Sequence, residues 1–249
     1  MIDSYNTFET MIPKQIVQVA IGLNHNHHIV QDQIKKTKEL NPNYKYTLIT
    51  EESELDDFVQ MNFPEEVVNA FMRLNILVAK IDFWRYLYLL KNGGIYFDID
   101  SAVDRPLDEL IQQHNQAIIT AEGNPDLYAQ WVLIFAPEHP ILRQLVEMIV
   151  DNIENNRYPN DIHKMTGPTV FTRAINNVHS HLFGEPITHK NINFYTDTEY
   201  TIYDISYRIY SKDMGEFFRF QYPEYYVLYD NREHWRVSLK KGKPLLSES

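Results

Sequence analysis

The sequence predicts an α/β fold with a mostly parallel mixed sheet flanked by helices. Three observations indicate this class. Apolar residues recur at helical spacing in four segments, short β-branched or aromatic runs lie between these segments, and Gly or Pro residues mark several boundaries. Strands that alternate with helices along a chain usually pair in parallel, because each crossover helix returns the chain to the same end of the sheet.

The elements alternate in order along the chain. The predicted strands are residues 15–20, 44–49, 95–97, 117–120 and 131–135, and the predicted helices are residues 29–40, residues 65–91, a segment behind Pro140 and one that starts near Gly167. The longest helix, residues 65–91, is predicted because its apolar side chains recur every three or four residues and form one buried stripe. Ligands of such sheets bind at the carboxyl ends of the strands.

One of those strand ends carries two carboxylates. Gly93 and Gly94 can adopt the left-handed backbone that ends a helix, and the β-branched and aromatic residues that follow suit a strand. Because side chains alternate along a strand, Tyr96, Asp98 and Asp100 are expected on one face. Paired carboxylates are hard oxygen ligands for Mn²⁺ or Mg²⁺, and a metal ion held there can clamp a diphosphate leaving group. An isolated Asp-x-Asp, by contrast, is most often a solvated loop end.

Asp82 and Arg85 are a second candidate for the site. They are three residues apart, so they are neighbours on the surface of the predicted helix 65–91. A surface ion pair of this kind is common and stabilises a protein little. However, the pair lies in a segment that has apolar residues on every side of the helix, shortly before the two glycines that end it. This context favours a functional site beside Asp98 and Asp100.

These residues together resemble a known enzyme family. Asp82-x-x-Arg85 followed by Gly93-Gly94-Ile95-Tyr96-x-Asp98-x-Asp100 resembles the sugar-binding DXD region of the glycosyltransferases related to yeast initiating α-1,6-mannosyltransferase and to capsular polysaccharide transferases. The catalytic domains of the clostridial glucosylating toxins share this spacing. Weaker similarities lie in the expected order at residues 12–18, 41–46, 136–140 and 166–168.

The resemblance implies a fold, an activity and partners. It implies a single catalytic domain over residues 1–249, with the GT-A-like single Rossmann-like fold. The implied reaction moves a hexose from a nucleoside-diphosphate sugar to a hydroxyl of a glycan or protein acceptor, with Mn²⁺ or Mg²⁺ as cofactor and with retention of the anomeric configuration. Uridine diphosphate is favoured over guanosine diphosphate as the donor nucleotide.

The resemblance also implies roles for individual residues. Asp98 and Asp100 are implied as metal ligands, and His234 is either a third ligand or an exposed histidine. Asp82 and Arg85 are implied to hold the sugar hydroxyls, with Arg85 near the phosphates. Further donor-binding candidates are Gln18, Ala20, Tyr96, Gln130 and Trp235. Ala20 occupies the position where relatives typically stack a tryptophan on the base, and Trp235 lies in a segment that resembles one closing over the donor. The aromatic residues of the segment 217–229 are predicted to be packed core rather than a sugar platform.

Composition narrows the functional classes. The chain of 249 residues has a formal net charge of −11, which argues against a nucleic-acid binder, and no cysteine, which excludes disulfides and thiolate metal sites. The sequence contains no run of 18 or more apolar residues, so it predicts no transmembrane segment. We therefore expect a cytoplasmic enzyme, or a soluble domain trimmed of an anchor.

Two other functions fit parts of the pattern. The strand followed by Asp98 and Asp100 also resembles haloacid-dehalogenase-type phosphatases, in which the first Asp is a nucleophile and the second a general acid. That family usually begins with the motif, whereas some ninety residues precede it here. A non-catalytic sugar-nucleotide binder is the third possibility, and the reaction product discriminates between all three.

Overall fold

The computed structural model describes residues 11–121, 127–184, 198–202, 205–210, 217–229 and 243–247. The strands are β1 Gln15–Val19, β2 Lys45–Ile49, β3 Gly94–Phe97, β4 Ala102–Val103, β5 Ala117–Thr120, β6 Val132–Phe135, β7 Thr198–Ile202, β8 Ile205–Tyr210 and β9 Phe218–Arg219. The helices are α1 His28–Leu40, α2 Glu52–Asn62, α3 Glu65–Met72, α4 Leu77–Asn92, α5 Pro140–Glu154, α6 Ile162–Met165 and α7 Pro168–Phe183.

Seven of the strands form one mixed sheet in the order β2-β1-β3-β6-β5-β8-β7. The pairs β1–β2, β1–β3 and β5–β8 are parallel. The pairs β3–β6, β5–β6 and β7–β8 are antiparallel. The α/β class is confirmed, and the parallel pairing expected from the alternating pattern is concentrated in β2-β1-β3. The antiparallel strand β6 lies beside β3, so the carboxyl end of β3 meets the amino end of β6.

The predicted helix 65–91 is two helices, and the prediction of one continuous helix was wrong. Between α3 and α4, Leu74 forms a β-bridge with Leu246, and the Asn75 amide donates to the Leu245 carbonyl at 2.9 Å. The apolar stripe continues through this break because Leu74 and Ile76 are also buried. Periodicity therefore could not reveal an interruption made by residues from the far end of the chain.

Helix α4 is buried on nearly all sides. It packs against α2, α3, α5 and β3, and its buried residues include the charged Lys80, Asp82 and Arg85. Sequence analysis missed α2, whose first turn is closed by a capping box between Glu51 and Glu54. This helix supplies Glu52 and Asp56, which pair with the buried Lys80 at 2.8 and 2.7 Å. Among the described residues, no helix has the length and apolar character that crossing a membrane requires.

The two glycines predicted to end the helix do so, and they connect α4 to β3 without any intervening loop. Gly93 has φ 63° and ψ −164°, a conformation that is essentially restricted to glycine. The Gln15 side chain donates to the carbonyls of Asn92 and Gly93 at 2.7 and 3.1 Å. The position of β3, and therefore of the carboxylates after it, depends on this tight connection.

Gly93→Ala is expected to destabilise the fold strongly. A Cβ at residue 93 would lie 2.6 Å from Pro137 Cδ and 2.8 Å from Pro13 Cδ. Backbone strain and overpacking together should lower the free energy of unfolding by about 3 kcal/mol or more. Gly184→Ala is the matched control, because Gly184 also has positive φ but nothing within 4 Å of the added Cβ. Chemical denaturation should show the much larger loss at residue 93, and equal losses would contradict the steric argument.

Candidate functional site

Arg85 is the centre of the candidate site. Its side chain is 5% exposed, and Nη2 lies 3.0 Å from Asp82 Oδ1 while Nη1 lies 3.2 Å from Asp98 Oδ1. Nη1 also donates to the Gln130 backbone carbonyl at 3.0 Å, and the guanidinium lies over the Tyr96 ring at 4.5 Å. One planar group thus connects α4, the end of β3 and Gln130, which lies two residues before β6. The predicted neighbours Asp82, Arg85, Tyr96, Asp98 and Gln130 do come together.

Asp82 is held by side chains from distant parts of the chain. Its Oδ1 accepts from Gln130 Nε2 at 3.2 Å, and its Oδ2 accepts from Thr166 Oγ1 at 3.4 Å. The Tyr86 hydroxyl donates to Gln130 Oε1, which fixes the orientation of that amide. Burial raises the pKa of Asp82 to about 7; Arg85 opposes this rise and the negative charge of Asp98 adds to it.

This raised pKa predicts a pH-dependent stability. Because the folded pKa of Asp82 lies above its ordinary value of 3.8, the folded state binds more protons between about pH 4 and pH 7. The contribution of Asp82 to the free energy of unfolding should therefore fall as pH rises through that window. The melting temperature of Asp82→Asn minus that of the wild type should increase from pH 5 to pH 8.

Asp151→Asn serves as the control for this pH series. Asp151 is exposed and paired with Arg157 at 2.6 Å, and this ion pair lowers the pKa of Asp151. Its substitution should not reproduce the increase. The two proteins of each comparison share the other carboxylates, so the contributions of carboxylates that do not interact with the substituted residue cancel. A melting-temperature difference for Asp82→Asn that is independent of pH would contradict the assignment.

Asp98 is the more accessible of the paired carboxylates, with a side chain that is 32% exposed. Its amide continues the β3–β6 ladder by donating to the Trp131 carbonyl at 2.8 Å. The Tyr96 hydroxyl donates to Asp98 Oδ1 at 2.7 Å, as alternation along the strand predicted. Burial raises the pKa of Tyr96 well above its usual range, so this phenol remains a hydrogen-bond donor.

Asp100 is buried, although its motif indicated an exposed strand end. It is 5% exposed overall, and Ser101 Oγ lies 3.4 Å from its Oδ1. Its Oδ2 accepts from Gln221 Nε2 at 3.3 Å and from the Tyr229 hydroxyl at 3.1 Å. Burial and the nearby charge of Asp98 raise the pKa of Asp100 to about 6. The two carboxylates therefore interact electrostatically.

The donor set fits a divalent cation. Two carboxylates that repel each other would both be stabilised in the ionised state by Mn²⁺ or Mg²⁺, which prefer oxygen ligands. Within the ranges that the structure describes, no group of three or more His, Asp or Glu side chains is arranged to hold a metal ion. Asp98 and Asp100 would then share a cation with phosphate or water oxygens, as is common for Mg²⁺.

Two donor-binding candidates lie at the carboxyl end of β1. Gln18 is buried, and its Nε2 donates to the Phe97 and Asp98 carbonyls, each at 3.3 Å, while Tyr46 donates to its Oε1 at 2.6 Å. Gln18 thus supports the backbone of the motif. Ala20 has no exposed surface and belongs to a core cluster that includes Tyr222. Residues of the segment 217–229 thus share a core cluster with Ala20, and the contact of Ala20 with a donor stays a prediction.

Three further findings complete the placement of the candidates. His234 and Trp235 lie outside the described residues, so their predicted roles remain predictions. Sequence analysis noted Thr166 only as part of a motif, whereas the structure places its hydroxyl beside Asp82. Sequence analysis also missed Gln221 as part of the site and predicted that Tyr229 is core. No local signal marks these two residues, which lie 121 and 129 positions from Asp100.

Comparison with known proteins identifies the region that carries these residues. Residues 27–117 match the family described as the glycosyltransferase sugar-binding region containing the DXD motif. The chain carries a DXD-type glycosyltransferase sugar-binding region. This sugar-binding region includes Asp82, Arg85, Asp98 and Asp100, whereas Gln130, Thr166, Gln221 and Tyr229 lie beyond it. The resemblance drawn from the motif is confirmed.

Two curated relatives and one solved structure that are similar to this chain are also named as glycosyltransferases. An initiation-specific α-1,6-mannosyltransferase of Candida albicans is 24% identical over 62% of this chain and 49% of its own length. An inositol phosphoceramide mannosyltransferase of Schizosaccharomyces pombe is 31% identical over 50% of this chain and 34% of its own length. The chain thus spans less than half of either relative. The PaToxG glycosyltransferase structure covers 70% of this chain and 73% of its own, with a TM-score of 0.56 and 18% identity. That likeness shows a shared fold, and the predicted glycosyltransferase fold is confirmed.

Proposed function

We propose that this protein is a metal-dependent glycosyltransferase that moves a hexose from a nucleoside-diphosphate sugar to an acceptor hydroxyl, with retention of the anomeric configuration. The observation that carries the proposal is the joint contact of Arg85 with Asp82 and Asp98 within the sugar-binding region. A guanidinium held between a helix carboxylate and the first carboxylate of the motif can meet both sugar hydroxyls and phosphate oxygens.

Each residue has a part in this proposal. Asp98 and Asp100 would hold Mn²⁺ or Mg²⁺, which when bound neutralises the charge of the departing nucleoside diphosphate. Arg85 orients the carboxylates and offers positive charge in a chain whose formal net charge is −11. Asp82, positioned by Gln130 and Thr166, would accept hydrogen bonds from sugar hydroxyls. Tyr96 fixes Asp98 through its hydroxyl.

The relatives suggest which donors to test first. Both relatives described above are named as mannosyltransferases; one name specifies an α-1,6 linkage and the other specifies inositol phosphoceramide. Mannose is therefore the first sugar to test, and the acceptor hydroxyl is of a glycan, lipid or protein. For the nucleotide, uridine diphosphate remains favoured by the resemblance, and guanosine diphosphate is tested beside it.

The test is turnover of uridine- and guanosine-diphosphate hexoses with Mn²⁺, with Mg²⁺ and with a chelator. We expect release of nucleoside diphosphate that requires the metal ion. Proton NMR of the transferred sugar should show the anomeric configuration of the donor. Inorganic phosphate released from a phosphomonoester would instead support the phosphatase alternative. A melting-temperature increase with a sugar nucleotide but no turnover would support the non-catalytic binder.

A further inference from the structure

The segment 217–229 touches the motif from the far end of the sequence. Strand β9 within it pairs antiparallel with β4, and the Tyr222 amide donates to the Asp100 carbonyl at 3.0 Å. The Asn24 amide donates to the Leu228 carbonyl at 3.0 Å, which joins the same segment to the loop after β1. These backbone contacts anchor the segment at Asp100, at β4 and at the loop after β1.

Two side chains from this segment converge on one oxygen atom. Tyr229 and Gln221 both donate to Asp100 Oδ2, at 3.1 and 3.3 Å. Oδ1 has a longer contact with the neighbouring Ser101 hydroxyl, at 3.4 Å. The carboxylate is thus bound asymmetrically, with one oxygen taken up by two donors. Gln221 has φ 51°, an uncommon value for a residue other than glycine, so its amide reaches Asp100 from a strained backbone.

The Tyr229 side chain is partly accessible. The residue is 39% exposed, whereas Phe217, Phe218 and Tyr222 in the same segment are buried. The prediction that the aromatic residues of this segment are core is right for those three and wrong for Phe220, Tyr226 and Tyr229, which are exposed. A hydroxyl on an accessible ring would be solvated by water if it had no specific partner. Its direction toward Asp100 therefore indicates a role at the carboxylate.

We propose that Tyr229 and Gln221 are positioning residues that hold Asp100 through Oδ2 and so present Oδ1 to a divalent cation. Groups that hydrogen-bond a metal-ligating side chain fix its orientation, and their loss typically weakens metal binding about 10- to 100-fold. This inference rests on the metal assignment within the proposed function. It adds two residues outside the family-matched region to the cation site.

The experiment measures Mn²⁺ affinity directly on the full chain. Loss of the electron paramagnetic resonance signal of free Mn²⁺ reports binding without any sugar transfer. Tyr229→Phe should weaken Mn²⁺ binding about tenfold, and Gln221→Met should weaken it less because its bond is longer. In turnover assays the KM for Mn²⁺ should rise more than kcat falls. Tyr226→Phe is the matched control, because Tyr226 lies in the same turn and is 63% exposed.

A double-mutant cycle separates positioning from general stability. In an Asp100→Asn background, Tyr229→Phe should cause no further loss of Mn²⁺ affinity. Unchanged or tighter binding by Tyr229→Phe overturns the inference, because the hydroxyl would then be neutral or a competitor for Asp100. Wild-type protein that binds no Mn²⁺ overturns it together with the metal assignment. Affinity changes as expected without hexose transfer would overturn only the proposed function.

Discussion

Arg85→Lys is expected to lower kcat/KM by at least about 100-fold, which corresponds to about 2.7 kcal/mol of transition-state stabilisation. The guanidinium contacts Asp82 with one terminal nitrogen and both Asp98 and the Gln130 carbonyl with the other. A lysine ammonium is a compact point charge and cannot reproduce this fork, nor the planar stacking on Tyr96. Steady-state kinetics with whichever sugar nucleotide the turnover test identifies as the donor measure the loss.

Arg143→Lys is the control for this substitution. Arg143 is half exposed and pairs with Glu138 at the surface, so exchanging its head group should leave activity unchanged. Arg85→Lys is also expected to lower the melting temperature, because Asp82 loses the Nη2 contact at 3.0 Å that compensates its burial. Near-wild-type kcat/KM for Arg85→Lys would show that the buried pair is structural and would remove the observation on which the proposed function depends.

Asp98→Asn and Asp100→Asn are each expected to reduce metal-dependent turnover by at least about 100-fold. Asparagine keeps the shape of the side chain and one oxygen, so Tyr96, Tyr229 and Gln221 can retain a partner and the fold should persist. The charge that attracts the cation is lost. Circular dichroism should match the wild type, while the Mn²⁺ titration and the donor turnover should not.

The exposed Asp151 supplies the matched control for both variants. Asp151→Asn removes a carboxylate of the same kind, paired with Arg157 on the surface of α5 and far along the chain from the motif. It should leave turnover and Mn²⁺ affinity unchanged. If either motif variant keeps wild-type Mn²⁺-dependent turnover, the carboxylates do not hold the catalytic metal ion.

Much of the architecture could be predicted from local patterns. Strand β5 and helix α1 match the predicted ranges within one residue, because each has its own apolar periodicity and a clear boundary. The glycines at 93 and 94 ended the helix as expected, because few residues other than glycine adopt those backbone angles. The pairing of Asp82 with Arg85 and of Tyr96 with Asp98 followed from helical spacing and strand alternation.

Other features could not be predicted because nothing local encodes them. The break between α3 and α4 is made by Leu245 and Leu246, and the apolar pattern crosses it without a gap. Ala20 is completely buried in a cluster with Tyr222 and Leu228, which lie far away along the chain. The burial of Asp100 has no local signal either, since only the folded chain brings Gln221 and Tyr229 to it.

The sequence by itself determined the chemistry that is available: two carboxylates after a strand, an Asp-Arg pair one helix earlier, and a glycine connection between them. These are short-range features, governed by the periods of helix and strand and by the backbone freedom of glycine. Only the tertiary structure decided which distant side chains donate hydrogen bonds to the carboxylate oxygens of Asp82 and Asp100. Sheet order brings Gln130 to Asp82, and the β4–β9 pairing brings Tyr229 to Asp100. Contacts over such separations depend on how whole elements pack, which no local pattern of residues specifies.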